Sequence, residues 1–265
     1  MKKVAIVGYA QHPILENAGA LNEVELIMPV VHQLFDELGI SQNNIDFTCS
    51  GSCDYLQGAA FAFVEGLSAI QTNPPIKESH VEMDAAWAMY ESMLKIQMGD
   101  ADTALIYGFG KSSPGRLDSI ISLQMDPYYI SPLWPDRVSL AAIQARVLLE
   151  KNIITPEQMI TAVIEARTNS KNNKNALVTE LVDKEAYLAS EKISSPLNEF
   201  DCPPISDGSS AMIIASEEKA YDFTDQPIFI EGIDHRIESS NIGSRDLSKP
   251  SGILASIEHL KLEKT

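Results

Sequence analysis

The first 110 residues alternate short predicted strands with helices that carry recognisable start and stop signals. The predicted strands are an apolar run at Val4 to Tyr9, a short strand at Asp46 to Ser50, an extended run at Ile76 to Val81 and a fourth strand at Thr103 to Phe109. The intervening helices are predicted at residues 22 to 38, at Ala59 to Leu67 and at residues 84 to 98. Asn22 and Glu25 have the spacing of a capping box, Asp84 is a second N-cap, and Gly39 and Gly99 are helix stops. This alternation predicts an α/β fold built on a sheet with parallel neighbours.

The alternation of strands and helices ends after the fourth predicted strand. Four prolines mark an irregular stretch, and two helices are then predicted, at Val138 to Lys151 and at Pro156 to Thr168. Strands are expected to resume at Ser209 to Ser216 and at Pro227 to Ile233, and residues 246 to 261 are predicted to form a last helix. The middle of the chain therefore reads as a helical insertion in an α/β domain.

The composition narrows the class of protein and its compartment. The 265 residues include 37 acidic and 20 basic side chains, which gives a net charge of −17. Nucleic-acid binding needs the opposite sign, so this charge indicates either a soluble surface or a surface that meets a basic partner. Three cysteines, an odd and sparse set, are typical of a reducing compartment. No apolar run approaches the ~20 residues of a membrane span, and we expect a cytoplasmic protein.

Three ionisable residues, His80, Glu82 and Asp84, alternate in the sequence HVEMD, where the third strand gives way to a helix. Ligands of α/β sheets bind at the carboxyl ends of strands, and nucleophiles are often presented at strand-to-helix elbows. The three side chains are therefore candidate catalytic residues, with Glu82 as the candidate general base. The alternative is structural: Asp84 caps the helix, and Glu82 stabilises its N-terminus through the helix dipole.

Other motifs that could hold a metal or a phosphate are incomplete. Cys49 and Cys53 have C-x₃-C spacing, but a zinc site needs a second pair that Cys202 alone does not supply. We interpret them as small buried hydrophobic residues. The sequence GFGKSSPG lacks the spacing of a phosphate-binding loop. We expect no metal site and no separate cofactor.

Four longer stretches carry a family resemblance. They are VAIVGYAQHP, GDADTALIYGFGKSS, the segment from VSLAAIQ to NSKNNKNA, and ISSPLNEFDCPPISDGSSAMIIAS. Together they resemble the thiolase superfamily, specifically the sterol-carrier-protein-linked thiolases and the bacterial lipid-transfer thiolase-like proteins. The resemblance implies a layered α/β/α sandwich at residues 1–112 and 196–222, a helical loop domain at 113–195, and the start of an incomplete C-terminal domain at 223–265.

The first departure from the family pattern concerns the nucleophile. Thiolases carry a cysteine in an N-C-A-[ST]-G motif, and alignment without gaps back from Ala101 places Glu82 at that position, with no cysteine within 25 residues along the chain. Gly110 and Ser112 also replace the acidic residue and the methionine of a G-x-E-K-M-S motif. Because a carboxylate cannot serve as the thiolate does, both as nucleophile and as leaving group, acyl-cysteine chemistry is excluded at this position.

The second departure concerns the motifs of the family's C-terminal half. Its histidine and second-cysteine motifs do not occur in this sequence, so we expect either a truncation or completion by another chain. The expected assembly is a homo- or hetero-oligomer, paired through the edge strand at Ile76 to Val81. Some relatives that lack the cysteine are retro-aldolases working with a zinc-ribbon/OB-fold accessory protein, which makes such a protein a further candidate partner.

The resemblance also implies a substrate class, an acyl-CoA or steroid-CoA thioester, in lipid metabolism or steroid degradation. One hypothesis is a subunit of a hetero-oligomer that performs carbon–carbon bond chemistry on a bulky thioester without an acyl-cysteine intermediate. The other is a non-catalytic lipid- or acyl-CoA-binding or structural partner of an intact thiolase-like subunit.

Overall fold

The computed structural model describes residues 2–57, 60–72 and 75–261, and it divides into two compact units. The sheet unit comprises Met1–Gly115 and Ile205–Ile233, and the helical unit comprises Arg116–Pro204 and Asp234–Thr265. The strands are β1 Val4–Gln11, β2 Phe47–Ser52, β3 Glu78–Glu82, β4 Thr103–Lys111, β5 Lys192–Ser194, β6 Leu197–Asn198, β7 Asp207–Ser216 and β8 Ile228–Phe229. The helices are α1 Glu23–Leu38, α2 Asp54–Gln57, α3 Ala62–Ala69, α4 Ala85–Met98, α5 Leu117–Leu123, α6 Arg137–Glu150, α7 Pro156–Ser170, α8 Lys184–Ala189, α9 Glu217–Ala220 and α10 Ser251–His259, with short 3₁₀ turns at Gln42–Asn44, Ser131–Leu133 and Glu199–Asp201.

The six strands of the sheet unit form one mixed sheet in the order β3-β2-β4-β7-β1-β8. Strand β2 pairs in parallel with β3 and β4, as predicted for neighbours linked by helices. The prediction of parallel neighbours is wrong for β1, which pairs antiparallel with β7 and β8. Strand β7 also pairs antiparallel with β4. The apolar pattern reveals that β7 is a strand, but its direction depends on how the chain returns to the sheet from residues outside this unit.

Helices cover both faces of this sheet, so the unit has the predicted α/β/α layering. Along β4, Leu105 and Tyr107 join the core that α1 and α3 cover, whereas Ala104 and Ile106 join the core that α4 covers. The alternation follows from the period of two in a strand.

The capping signals predict the helix ends of the sheet unit well. Asn22 and Glu25 form the predicted capping box of α1, and Gly39 ends that helix in the left-handed conformation. Gly99 ends α4 in the same way, at a φ of 82°. Helix α3 begins at Ala62, and residue 59, where the helix is predicted to begin, lies outside the described residues.

Two predicted elements near the C-terminus are shorter than the sequence indicates. The strand predicted at Pro227 to Ile233 is reduced to the two residues of β8. It lies at the edge of the sheet and leaves Ile228 67% exposed, so little burial rewards a longer strand. The last helix covers only Ser251–His259, because Pro250 precedes its first turn and lacks the N–H needed further inside a helix.

The helical unit has a small core of its own and a two-stranded antiparallel sheet of β5 and β6. Ile160, Val182 and Tyr187 are buried together. The Tyr187 hydroxyl donates to the Asp201 carboxylate at 2.8 Å, and burial together with this acceptor raises the pKa of Tyr187 to about 12. Across the described part of the chain, no helix is both long and apolar enough to cross a membrane.

Candidate active site at the strand-to-helix elbow

The elbow between β3 and α4 rests directly on the sheet. Asp84 is the N-cap of α4, and its Oδ1 accepts from the backbone N–H groups of Ala86 at 2.9 Å and Trp87 at 3.3 Å. A Cβ on Gly51 would lie 2.2 Å from the Asp84 carbonyl oxygen, and one on Gly108 would lie 2.7 Å from the Ala85 Cβ. Glycine at both positions therefore allows the helix start to approach β2 and β4 closely.

An open cleft of about 510 Å³ lies beside this elbow. It is bounded by the first residues of α4 and by the ends of β1, β2, β4 and β7 that meet at this edge of the sheet. Four glycines, Gly51, Gly108, Gly110 and Gly208, line it and add no side chains to its wall. A second cavity of about 260 Å³ shares four lining residues with the cleft and is bordered by apolar side chains, including Met89, Ile106 and Met212.

The structure brings two of the three predicted site residues together and separates the third. His80 Nε2 lies 3.5 Å from Glu82 Oε2, because residues two apart in a strand share a face. Asp84 follows the end of the strand and is used as a helix cap, as the structural alternative proposed. Glu82 does not cap α4: its Oε1 accepts from the Asp54 N–H at 2.9 Å, at the start of α2.

Cys53, which the sequence analysis interprets as a small buried hydrophobic residue, is only partly buried and reaches the elbow from the segment that follows β2. The Cys53 Sγ donates to the Met83 carbonyl oxygen at 3.0 Å, although the two residues are 30 positions apart. Burial and the neighbouring Glu82 carboxylate raise the pKa of the Cys53 thiol. It is therefore less disposed than a free cysteine to form the thiolate that attacks thioesters. Cys49 is fully buried in the core, as predicted.

Asp207 is a residue that sequence reasoning missed. It opens the DGSS sequence at the start of β7, lines the cleft and is only 2% exposed. Its carboxylate accepts from the Ala18 N–H at 2.8 Å, the Ser113 N–H at 3.0 Å and the Ser113 hydroxyl at 2.6 Å. Burial raises the pKa of Asp207, but these hydrogen bonds outweigh burial, and the net effect is a lowered pKa. The available signal was a charged residue two positions before the strand predicted at Ser209 to Ser216.

The sequence is similar to two archaeal enzymes, although no protein-family model matches it. An acetyl-CoA acetyltransferase of Methanocaldococcus jannaschii is 26% identical over 259 residues, covering 93% of this chain and 64% of that protein. An acetyl-CoA acetyltransferase of Methanothermobacter thermautotrophicus is 32% identical over 93 residues, covering 35% of this chain and 24% of that protein. The chain thus spans less than two thirds of the length of these curated relatives.

Solved structures with a similar fold include an aldolase and a thiolase. A structure described as an Ltp2-ChsH2(DUF35) aldolase superposes with a TM-score of 0.67 at 19% identity, covering 85% of this chain and 58% of that chain. Human mitochondrial 3-ketoacyl-CoA thiolase in complex with CoA superposes with a TM-score of 0.62 at 15% identity, covering 84% and 67%. In sequence and in fold, this chain is similar to proteins of the thiolase superfamily. Its elbow carries Glu82, Met83 and Asp84, and the thiol that reaches the elbow is that of Cys53.

Proposed function

We propose that the chain is a thiolase-like subunit that binds an acyl-CoA thioester in the elbow cleft and acts without an acyl-cysteine intermediate. The observation that carries the proposal is a thiolase-like elbow, open to a cleft, whose neighbouring thiol has a raised pKa. Acetyl-CoA acetyltransferases are its sequence relatives, and they act on CoA thioesters by name. More specifically, we propose that the thioester carries a bulky acyl group or a steroid.

The walls of the two cavities suit the two parts of a thioester. The cleft presents glycine backbone and the N-terminus of α4, whose partial positive charge favours the oxygen of a polarised thioester carbonyl. The adjoining apolar cavity suits an acyl chain. For carbon–carbon bond chemistry, the Glu82 carboxylate and the His80 imidazole are the groups at the elbow that can accept a proton.

A non-catalytic binding or structural role is the second candidate, and a specific observation favours it. Both acidic side chains of the elbow already serve the backbone, Asp84 at the start of α4 and Glu82 at the start of α2. These backbone hydrogen bonds account for both carboxylates without a catalytic role. In this second role the chain would hold the thioester or support an intact thiolase-like subunit.

Assembly is part of the proposal in either role. Strand β3 lies at one edge of the sheet, where its outer backbone groups are available for pairing with another chain. We propose a homo- or hetero-oligomer formed through this edge. A zinc-ribbon/OB-fold accessory protein is a candidate partner because the structural neighbour Ltp2-ChsH2(DUF35) is named as a two-component aldolase. Light scattering of the purified chain should give a mass above 29.1 kDa, and a monodisperse monomer would contradict pairing.

Binding is tested by titrating acetoacetyl-CoA into the full chain by calorimetry. Gly110 borders the cleft, and a Cβ at this position would have open space around it to at least 4 Å. The larger Gly110→Leu side chain should therefore fill the cleft and abolish binding. Gly110→Ala, which leaves most of the space, should bind normally. Equal affinity of wild type and Gly110→Leu would reject the cleft as the site.

The catalytic and non-catalytic roles are separated by Glu82→Gln in the complex purified with its natural partners. If Glu82 acts as a general base, the rate should fall about 10²–10⁴-fold while assembly is unchanged. Full activity of Glu82→Gln would leave the chain with the non-catalytic role.

A further inference from the structure

We infer that Asp54, His80 and Glu82 form a binding site for a divalent transition-metal ion, with Zn²⁺ as the ion that fits best. One ligand atom from each of the three side chains lies within 4.8 Å of the other two. The residues come from the end of β3 and from the segment that follows β2, which the parallel pairing of these strands places side by side. The sequence pattern predicts no metal here, because Asp54 is far along the chain from His80 and Glu82.

Each side chain is held by the protein at one atom, and two of them present a second atom that lacks a protein partner. The Nδ1 of His80 lies 3.0 Å from the Ser50 hydroxyl, and its Nε2 is buried without a hydrogen-bond partner among the described residues. Oδ2 of Asp54 accepts from the Phe61 N–H at 2.5 Å, and its Oδ1 is likewise buried and unpartnered within the described ranges. Burying such atoms without a hydrogen-bond partner is unfavourable, and a bound cation would offset this cost.

The distance between His80 and Glu82 suits coordination better than a hydrogen bond. Nε2 and Oε2 are 3.5 Å apart, beyond the 2.7–3.2 Å typical of N–H···O bonds. Two ligands bound to zinc at about 2.0–2.2 Å with tetrahedral angles lie about 3.4 Å from each other. Glu82 uses Oε1 for the Asp54 N–H, which leaves Oε2 for an ion. An ion pair between His80 and Glu82 alone would leave the buried Asp54 Oδ1 unpartnered.

The imidazole is oriented as metal-bound histidines usually are. Its Nδ1 meets the buried Ser50 hydroxyl, and its ring stacks on Phe63 with centroids 4.1 Å apart and planes 10° from parallel. A hydrogen bond at the second ring nitrogen fixes the tautomer and direction of a histidine ligand. Two carboxylates and one neutral imidazole balance a 2+ charge, and imidazole favours Zn²⁺ over Mg²⁺ or Ca²⁺.

The ion site shares Glu82 and His80 with the catalytic form of the proposed function, but its test needs no thioester, so the two proposals can fail separately. The untagged, reduced full chain is stripped with EDTA, loaded with ZnCl₂ and freed of excess metal, and zinc is counted by mass spectrometry. We expect one zinc per chain and a rise in the unfolding temperature with zinc concentration. Titration with Co²⁺ supplies an absorption band as a second readout. Magnesium should not compete with zinc.

Single substitutions test which side chains bind the zinc ion. Glu82→Gln and His80→Gln, which keep similar size, should each weaken zinc binding at least about 100-fold, and Ser50→Ala about 10-fold. Glu78→Gln removes the same charge from an exposed position of the same strand and should bind like wild type. Cys53→Ser should also retain zinc. Absence of stoichiometric zinc in the wild type would overturn the inference, and so would zinc bound equally by wild type and Glu82→Gln or lost from Cys53→Ser.

Discussion

Two regions of the sheet unit differ in how the protein satisfies their buried polar atoms. Around Asp207, three donors from Ala18 and Ser113 satisfy the carboxylate, and its pKa is lowered. Around His80, the buried Nε2 and the buried Asp54 Oδ1 have no hydrogen-bond partner among the residues described. The protein itself satisfies the first region, whereas the second holds the groups that we infer to bind a metal ion. The two regions therefore differ in hydrogen bonding rather than in the kind of charge they carry.

The largest effect on the free energy of unfolding is expected where the elbow meets the sheet. Gly51→Ala would place a Cβ 2.2 Å from backbone of Asp84, which cannot move without displacing the start of α4. We expect destabilisation of about 3 kcal/mol, measured by urea unfolding. Gly110→Ala is the matched control, since nothing lies within 4 Å of its new Cβ, and it should change stability by less than about 0.5 kcal/mol. Equal stability of both variants would show that the elbow is not held against β2.

The next largest effect tests the completeness of the Asp207 region. Asp207→Ala leaves the Ala18 and Ser113 donors without their acceptor in a buried setting and should cost about 2–3 kcal/mol at neutral pH. Replacement of the exposed Asp225 by alanine should cost less than about 0.5 kcal/mol. A loss below about 1 kcal/mol for Asp207→Ala, by urea unfolding, would mean that water replaces the carboxylate.

The stability difference between wild type and Asp207→Ala is also predicted to depend on pH. Because the pKa of Asp207 is lowered in the folded state, its stabilisation is complete above the ordinary value of 3.8 and is lost as pH falls through the folded pKa. The stability difference between wild type and Asp207→Ala should therefore narrow below about pH 3.8. Urea unfolding of both proteins at neutral pH and at a pH below 3.8 measures this difference. A difference that stays constant would contradict a lowered pKa of Asp207 in the folded state.

A smaller effect is expected at Asp84, whose role in the structure is to cap α4. Asp84→Ala removes the acceptor for the Ala86 and Trp87 N–H groups and should cost about 1 kcal/mol. Asp84→Asn keeps an acceptor oxygen and should be within a few tenths of a kcal/mol of wild type. If Asp84→Asn left stability unchanged but abolished activity of the complex, Asp84 would have a catalytic role beyond capping.

Sequence reasoning located the elbow but not the groups that meet there. The Asp84 cap, the Gly99 stop and the strand before them follow from local patterns, which the structure confirms. The contacts of His80 with Ser50 and of Glu82 with Asp54 depend on the register of β2 against β3, in which Ser50 pairs with His80 and Ser52 with Glu82. Register between distant strands is set by the whole sheet, and a single sequence does not show it.

The same limit explains why the sequence analysis does not place Cys53 at the elbow and does not predict the antiparallel pairing of β7. Counting along the chain placed no cysteine near Glu82, yet the parallel register brings Cys53 to the Met83 carbonyl. The antiparallel direction of β7 likewise depends on a long connection whose path local patterns do not reveal. Capping and burial are local properties and were predictable, whereas pairing is a property of the assembled sheet.

The most direct measurement of the central claim is intact-mass spectrometry of the reduced chain after incubation with acetyl-CoA or acetoacetyl-CoA. An elbow that binds thioesters but has only a protonated thiol should leave the protein mass unchanged, and the pure chain should show no thiolysis. The contrary result is an acyl adduct on Cys53 that Cys53→Ser abolishes, or iodoacetamide-sensitive thiolysis at an ordinary enzymatic rate of roughly 1–10³ s⁻¹. Either would show that this thiol serves as the nucleophile.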